Sequence, residues 1–301
     1  MSLEYRIQRM DNIVKSWGLN REHDLIASLP LDLKLYNDFK LKIKLYVSKA
    51  LNFAYESDDD SFIKQTNSSR NNRTNITPNG AVVPKREFQL EYNMILRDWS
   101  LIIKKMIERD KKLLSIFRIT PNIRIKYGQE LEDNIGRPLS TSHPHSDAWV
   151  EGPWGMNCYF PILGDSENNN LVYYEPKKNQ FDEKMMASSP SYEDMQWVMK
   201  HYQKIDFVPK KGKIYFSDYA MVHNTHRSKN CDTRISIDTT LYIGDHKPHP
   251  DREKEYRLGV PDFGITTLID PGQYENKKFV EKKSVYSHYT SEVLKTVKLD
   301  K

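Results

Sequence analysis

The chain has 301 residues and a net charge of +5, and this length can bury a full core in one large domain. Its Lys and Arg residues are spread thinly, which argues against a nucleic-acid interface, although a basic excess suits an anionic substrate. No apolar run approaches the roughly 20 residues that span a bilayer, the start lacks the apolar stretch of a signal peptide, and two cysteines are too few for a disulfide scaffold. We therefore expect a cytoplasmic protein without membrane or nucleic-acid partners, and the composition leaves its oligomeric state open.

Residues 1–115 are predicted to form a helical scaffold. The segment from Leu3 to Trp17 places apolar residues on one helical face and ends at Gly18. A second helix is predicted from about Leu31 to Asn52, and a third from about Arg86 to Ser115, which should pack across one face of a sheet. Between them, residues 57–85 are rich in Asp, Ser, Asn, Arg and Thr. We expect a mobile loop in this region, with an active-site lid as the alternative.

Residues 116–245 change to the period-two pattern of β-strands. Strands are predicted at 116–119, 122–127, 157–162, 171–174, 213–217 and 234–243, with a helical insert that starts at a capping-box-like stretch, residues 191–194. Several short strands separated by Gly-, Asn- and Pro-containing turns indicate an antiparallel barrel or jelly roll. The charged remainder, 246–301, either covers the mouth of this barrel or forms a tail. The three parts together are expected to make one integrated domain of the α+β class with a mainly β core.

Two histidines and an aspartate are spaced so that they can bind one metal ion. His145 and Asp147 are two residues apart, so their side chains point to the same side of an extended segment. His223, far along the chain, supplies a third ligand. Two His and one carboxylate with open coordination positions are typical of non-haem Fe(II) oxygenases. The alternative interpretation of His145 and Asp147 is a polar loop in which the Asp caps a turn.

Two further histidines compete for these ligand positions. His143 also forms a His-x-His pair with His145, but only His145 has an Asp two residues later. We therefore expect His143 to lie beside the metal ligands or toward the substrate. His226 lies close to His223 in the sequence and is expected either to contact substrate or to lie on the surface.

The pattern His145-x-Asp147, His223, Arg234-x-Ser236, with ten residues between His223 and Arg234, resembles the Fe(II)/2-oxoglutarate-dependent oxygenases. The approach to the last His, residues 212–216, and the stretch at residues 157–171 resemble the phytanoyl-CoA hydroxylase-like branch of that superfamily. The resemblance covers about residues 120–245. It implies a double-stranded β-helix (a jelly-roll, cupin-like barrel), Fe(II) bound by the two His and the Asp, and O2 and 2-oxoglutarate as co-substrates.

The resemblance also implies that Arg234 and Ser236 hold the distal carboxylate of 2-oxoglutarate. Period two places both on the polar face of a strand whose other face is aliphatic, and a planar guanidinium suits bidentate binding of a carboxylate. The alternative for Arg234 is a surface cation on an edge strand. Tyr127, Asn157 and Tyr159 are further pocket candidates at strand positions, where core packing or a structural hydrogen bond is the alternative.

The implied reaction is oxidation of an unactivated C–H bond of a small molecule, coupled to decarboxylation of 2-oxoglutarate to succinate. Hydroxylation is the expected outcome, with desaturation or ring closure as alternatives. Nucleic-acid demethylases of the superfamily carry a second Arg six residues after the first, and Thr240 stands in that place. Two other hypotheses use the same residues differently. One is a cupin-like metalloenzyme, an isomerase or hydrolase that does not use 2-oxoglutarate, and the other is a non-enzymatic β-barrel module that binds a ligand.

Overall fold

The computed structural model describes residues 2–72, 75–77, 80–107, 114–117, 121–128, 143–151, 155–177, 193–243, 257–258, 267–270 and 295–298. These residues form helices and antiparallel sheets. None of the helices in these ranges combines the length and the hydrophobicity needed to cross a bilayer. Most of the predicted C-terminal extension and the first two residues of the predicted capping box, 191–192, lie outside the described residues.

The helices are α1 Leu3–Trp17, α2 Leu33–Leu51, α3 Asp59–Ser68, α4 Gln89–Ile107 and the short α5 Ala148–Glu151, with 3-10 helices at Arg86–Phe88 and Glu193–His201. The bounds predicted for α1 are confirmed, because both caps are local. Ser2 accepts a hydrogen bond from the Tyr5 amide, and Gly18 has a φ of 62°, which favours glycine. The third predicted helix ends earlier than expected, since residues 114–117 form a strand.

The loop predicted at residues 57–85 is wrong in its first part, which is the helix α3. The side chain of Asp58 caps this helix by accepting a hydrogen bond from the Ser61 amide. Phe62 and Ile63 are buried on its inner face. The apolar stripe of α3 is too short to stand out from the surrounding polar residues, so the helix depends on packing against the rest of the protein.

The strands are β1 Asn20–His23, β2 Ile26–Pro30, β3 Leu114–Phe117, β4 Asn122–Lys126, β5 Gly155–Gly164, β6 Asn169–Pro176, β7 Tyr202–Lys204, β8 Lys213–Asp218, β9 Val222–Arg227, β10 Arg234–Ile243, β11 Arg257–Leu258, β12 Thr267–Asp270 and β13 Lys295–Lys298. The main sheet has the order β1-β2-β8-β5-β10-β3-β11, and β4 also pairs with β10. A second sheet has the order β7-β6-β9, and β12 pairs with β13. The pairs β1–β2 and β2–β8 extend the main sheet with N-terminal residues, which the sequence pattern did not predict.

The two faces of the main sheet have different partners. On one face, aliphatic and aromatic residues such as Phe160 and Ile237 pack against buried residues of α1, α2 and α4. Packing on the sheet was predicted for the last of these helices. On the other face, Tyr159 and Tyr215 join Tyr173 of the second sheet in a separate cluster. The second sheet therefore packs against the inner face of the main sheet, and the polar residues of β10 point into the space between them.

Candidate metal centre and carboxylate pocket

The side chains of His145, Asp147 and His223 converge on one point. Each offers one ligand atom, and these atoms all lie within 4.8 Å of one another. His145 Nε2 is 4.0 Å from Asp147 Oδ1, and His223 Nε2 is 3.8 Å from Asp147 Oδ2. Three donor atoms at these separations surround a position that a metal ion can occupy with small movements of the side chains.

Backbone pairing brings the two histidines together. The amide of His145 donates to the carbonyl of His223 at 2.9 Å, and the amide of His223 donates to the carbonyl of His145 at 2.8 Å. This isolated bridge attaches the segment before α5 to β9. Asp147, two residues after His145, then reaches the same side, as the period-two argument predicted.

Backbone carbonyls fix the orientation of both imidazole rings. Nδ1 of His145 donates to the carbonyl of His143 at 2.9 Å, and Nδ1 of His223 donates to the carbonyl of Met221 at 3.1 Å. Because a carbonyl oxygen only accepts, the proton of each neutral ring lies on Nδ1, and Nε2 keeps its lone pair for a metal. Asn157 donates to Oδ2 of Asp147 at 2.7 Å and so orients the carboxylate.

The surroundings of His145 favour its neutral form. Burial, and then the neighbouring His223, lower the pKa of His145 from 6.5 to about 4. A metal ion needs the unprotonated ring, so little competition from protons is expected near pH 7.

Arg234 lies deep in the space between the sheets, with 1% of its surface exposed. Its Nη1 donates to the carbonyl of Asn169 at 3.0 Å, and its Cζ lies 5.3 Å from the ring centroid of Tyr159. The Nε of Arg234 is buried without a hydrogen-bond partner. Burial lowers the pKa of this guanidinium, which reflects the cost of keeping a charge in this position without full compensation.

The buried hydroxyl groups of Tyr159, Tyr173 and Ser236 lie near this guanidinium without a hydrogen bond of ordinary geometry. The hydroxyl of Ser217 lies close to that of Tyr173. The Ser236 hydroxyl lies close enough to Tyr159 to favour its phenolate, yet burial dominates and raises the pKa of Tyr159 to about 12. Burial also raises the pKa of Tyr173. Both phenols therefore remain protonated donors, and the pocket presents several donors with few acceptors. Such a set of unsatisfied buried donors fits an anion, above all a carboxylate.

Lys126 adds a second buried cation beside Arg234. The two residues are directly opposite in the pairing of β4 with β10, so their side chains emerge on the same face. Lys126 is 5% exposed, and its charge contributes to the low pKa of His145. Two cationic side chains therefore lie on this face of the sheet, and the charge of Lys126 reaches as far as His145.

The structure brings most of the candidates from the sequence together. Arg234 and Ser236 share the inner face of β10, and Asn157 contacts a ligand carboxylate instead of the pocket beside Arg234. Tyr127 is not brought to this site, because its ring belongs to the hydrophobic core on the helical side of the sheet. The side chains of His143 and His226 are exposed, and the first contributes only its carbonyl.

Two residues of the pocket were missed by sequence reasoning. Lys126 lies on the polar face of its predicted strand, but only the pairing with β10 reveals that this face lines the interior. Tyr173 lies opposite His223 in the pairing of β6 with β9, with ring centroids 6.3 Å apart. The sequence did carry one signal for Tyr173. It lies two residues after Leu171 on a predicted strand, and side-chain alternation places residues two apart on the same face.

No protein-family model and no curated protein matches the sequence. Solved structures similar to this one include the α-ketoglutarate-dependent epimerase SnoN from nogalamycin biosynthesis, with 12% identity, 79% of this chain and 81% of that chain covered and a TM-score of 0.37. An N-substituted L-amino acid dioxygenase from Burkholderia ambifaria has 11% identity, coverage of 78% and 91% and a TM-score of 0.39. AviO1 from Streptomyces viridochromogenes has 11% identity, coverage of 83% and 98% and a TM-score of 0.40. Similarity at these values carries no information on function beyond the geometry of the site itself.

Proposed function

We propose that the protein is a non-haem Fe(II)/2-oxoglutarate-dependent oxygenase of the phytanoyl-CoA hydroxylase-like branch, with its two facing sheets forming a double-stranded β-helix. The observation that carries this proposal is the combination of two features in one cavity. The first is the His145, Asp147 and His223 cluster, whose ligand atoms lie within 4.8 Å of one another. The second is the buried Arg234, whose Nε has no hydrogen-bond partner and which lies near several buried hydroxyl groups.

The donor atoms of the cluster fit Fe(II). Two imidazole nitrogens and one carboxylate form the facial set that non-haem Fe(II) oxygenases use, and three protein ligands leave coordination positions for other molecules. His145 and His223 would bind through Nε2, since Nδ1 of each ring donates to a backbone carbonyl. Asn157 would hold the carboxylate of Asp147 in place.

The pocket around Arg234 fits the distal carboxylate of 2-oxoglutarate. A carboxylate there would accept from the unpartnered Nε of Arg234 and from the buried hydroxyls of Ser236, Tyr159 and Tyr173. Each charge-assisted hydrogen bond of this kind contributes about 1.5–3 kcal/mol. The positive charge of Lys126 favours the same dianion, so the pocket favours a dicarboxylate over a neutral ligand.

When bound, Fe(II) and 2-oxoglutarate together supply the oxidising power to break an unactivated C–H bond, with O2 as oxidant and succinate and carbon dioxide as products. The residues of this chain bind and orient these partners. Arg234 would neutralise the distal carboxylate. The hydroxyls of Tyr159 and Tyr173 would donate hydrogen bonds to it while remaining protonated, and the packed sheets would exclude water from the pocket. We propose hydroxylation as the outcome of the reaction. We propose a small molecule as the substrate, because Thr240 stands where nucleic-acid demethylases carry an Arg.

The test is succinate formation from 2-oxoglutarate, Fe(II) and O2 during a screen of small molecules with the full chain. His223→Ala should abolish succinate formation. His226→Ala is a matched control, because His226 lies on the same strand and is exposed. Equal succinate formation in wild type and His223→Ala would contradict the proposal. Metal binding without any succinate would favour the cupin-like alternative.

A further inference from the structure

A buried ion cluster joins the first helix to the main sheet. Nε of Arg6 donates to Oδ1 of Asp218 at 2.7 Å, and its Nη2 contacts the same oxygen. Nη2 of Arg9 donates to Oδ2 of Asp218 at 2.6 Å. The side chains of Arg6 and Asp218 are each 1% exposed. One carboxylate at the end of β8 is thus held by two guanidinium groups from α1.

Asp218 begins the tight turn that connects β8 to β9. Its Oδ1 also accepts from the amide of Ala220 at 3.0 Å, and its carbonyl accepts from the amide of Met221 at 2.9 Å. The same carboxylate therefore binds the helix and closes the turn. Any change in how α1 holds Asp218 changes the position of residues 218–221.

Carbonyl groups of this turn accept hydrogen bonds from residues at and beside the metal ligands. The carbonyl of Tyr219 accepts from the hydroxyl of Ser146 at 3.2 Å and from the amide of Ala148 at 3.4 Å, the two residues that flank Asp147. The carbonyl of Met221 accepts from Nδ1 of His223. Two ligand-carrying stretches that are far apart in the sequence, around Asp147 and His223, are thus attached to the same four-residue turn.

Packing leaves the turn little room to adjust. A Cβ placed on Gly155 would lie 2.9 Å from the ring of Tyr219, so this ring packs directly on the backbone of β5. Tyr219 also forms a buried cluster with Ala148 and Ala220. A displacement of the turn would therefore move the segment around Asp147 with it.

We propose that Arg6, Arg9 and Asp218 form a positioning cluster that sets the metal affinity of the site by fixing the turn at residues 218–221. The inference rests on the proposed function, since it requires a metal at the three ligands. The cluster acts from the helical side of the sheet, where Asp218 pairs with Met156, a residue of the helix-facing core.

A purely structural role would have a different signature. Loss of one partner from a buried ion pair destabilises a protein strongly, because it leaves a charge without compensation. Such a loss would lower the unfolding temperature without altering the metal affinity of the folded molecules. A positioning role predicts weaker metal binding at temperatures where the variant is fully folded.

The experiment is a titration of the full chain with Co(II) alone, followed by visible absorption, well below the unfolding temperature of each variant. Asp218→Asn should weaken Co(II) binding about 10- to 100-fold, the range found for residues that orient metal ligands. Arg9→Gln removes one donor and should weaken binding several-fold. Asp98→Asn is the control, because Asp98 forms an ion pair with Lys42 between α2 and α4. This variant should keep the wild-type Co(II) affinity.

Unchanged Co(II) affinity in folded Asp218→Asn and Arg9→Gln, with only a lower unfolding temperature, would overturn the positioning role. If Asp218→Asn does not fold, Arg9→Gln decides alone, since Arg6 still binds the carboxylate in that variant. Failure of the wild type to bind Co(II) would instead overturn the proposed function, and the inference with it.

Discussion

Arg234 and Lys126 lie directly opposite each other on neighbouring antiparallel strands, and both are almost completely buried. Like charges in this arrangement destabilise a sheet. In the proposed function, an anion bound between the sheets would compensate part of this charge. We propose that this anion is the distal carboxylate of 2-oxoglutarate, whose keto acid end would face the three-ligand centre.

The contribution of Lys126 is testable by ligand-induced stabilisation. A ligand at 100 times its Kd stabilises a protein by about 2.7 kcal/mol, so 2-oxoglutarate should raise the unfolding temperature of the metal-loaded wild type. Lys126→Met should bind 2-oxoglutarate about tenfold more weakly, which corresponds to about 1.4 kcal/mol, and should be stabilised less. Lys64→Met, at an exposed position of α3, is the control. An unchanged shift in Lys126→Met would exclude a role for this cation.

The unsatisfied hydroxyls predict opposite effects on stability and on binding. Removing a buried hydroxyl that makes no hydrogen bond of ordinary geometry is neutral or stabilising for the ligand-free protein. Tyr173→Phe and Ser236→Ala should therefore unfold at the wild-type urea concentration or higher, while their 2-oxoglutarate affinity falls several-fold. Urea denaturation and ligand titration measure the two quantities. Lower stability together with unaltered affinity would identify these hydroxyls as structural.

Asn157 is predicted to act on the metal instead of the co-substrate. Its amide holds Oδ2 of Asp147, and loss of such a contact costs about 10- to 100-fold in metal affinity. Asn157→Ala should therefore weaken Mn(II) or Co(II) binding. Asn170→Ala is a suitable comparison, because its amide donates to the carbonyl of Glu167. If both variants bind metal as tightly as the wild type, the hydrogen bond from Asn157 to Asp147 does not contribute to metal affinity.

The low pKa of His145 predicts a stability loss in acid. Its folded-state pKa of about 4 lies below the ordinary 6.5, so the unfolded chain binds more protons between these values. The metal-free protein should lose stability as pH falls from 6.5 toward 4, by on the order of 3 kcal/mol from this residue. His145→Gln should lose less over this interval in urea denaturation. Identical pH dependence in both proteins would contradict the low pKa of His145 in the folded protein.

Local signals in the sequence were sufficient for several features. The helix α1 was predictable because a polar cap and a Gly with positive φ bound one apolar stripe. The residues on the inner face of β10 followed from period two alone. The same period carried the correct signal for Tyr127, since it alternates with Lys126 and falls on the side of Ile123 and Ile125, which pack against the helices.

Features that depend on distant pairing were not predictable. Lys126 faces Arg234 only because β4 pairs with β10, and α1 contacts the turn after β8 only through the ion pairs of Asp218. The helix α3 was missed because its buried residues are few and its stability comes from packing. In each case the deciding contact joins residues far apart in the chain, and composition and periodicity carry no information about such contacts.

The measurement that tests the central claim most directly is anaerobic titration of the Fe(II)-loaded protein with 2-oxoglutarate, followed by the weak visible charge-transfer band of a chelated keto acid. The wild type should give a saturable band. Arg234→Ala should bind Fe(II) normally but need at least about tenfold more 2-oxoglutarate, because it loses a charged hydrogen bond. Arg21→Ala, on the edge strand β1, should match the wild type. A wild type that binds Fe(II) without a band, or an Arg234→Ala variant with unaltered 2-oxoglutarate affinity, would contradict the account.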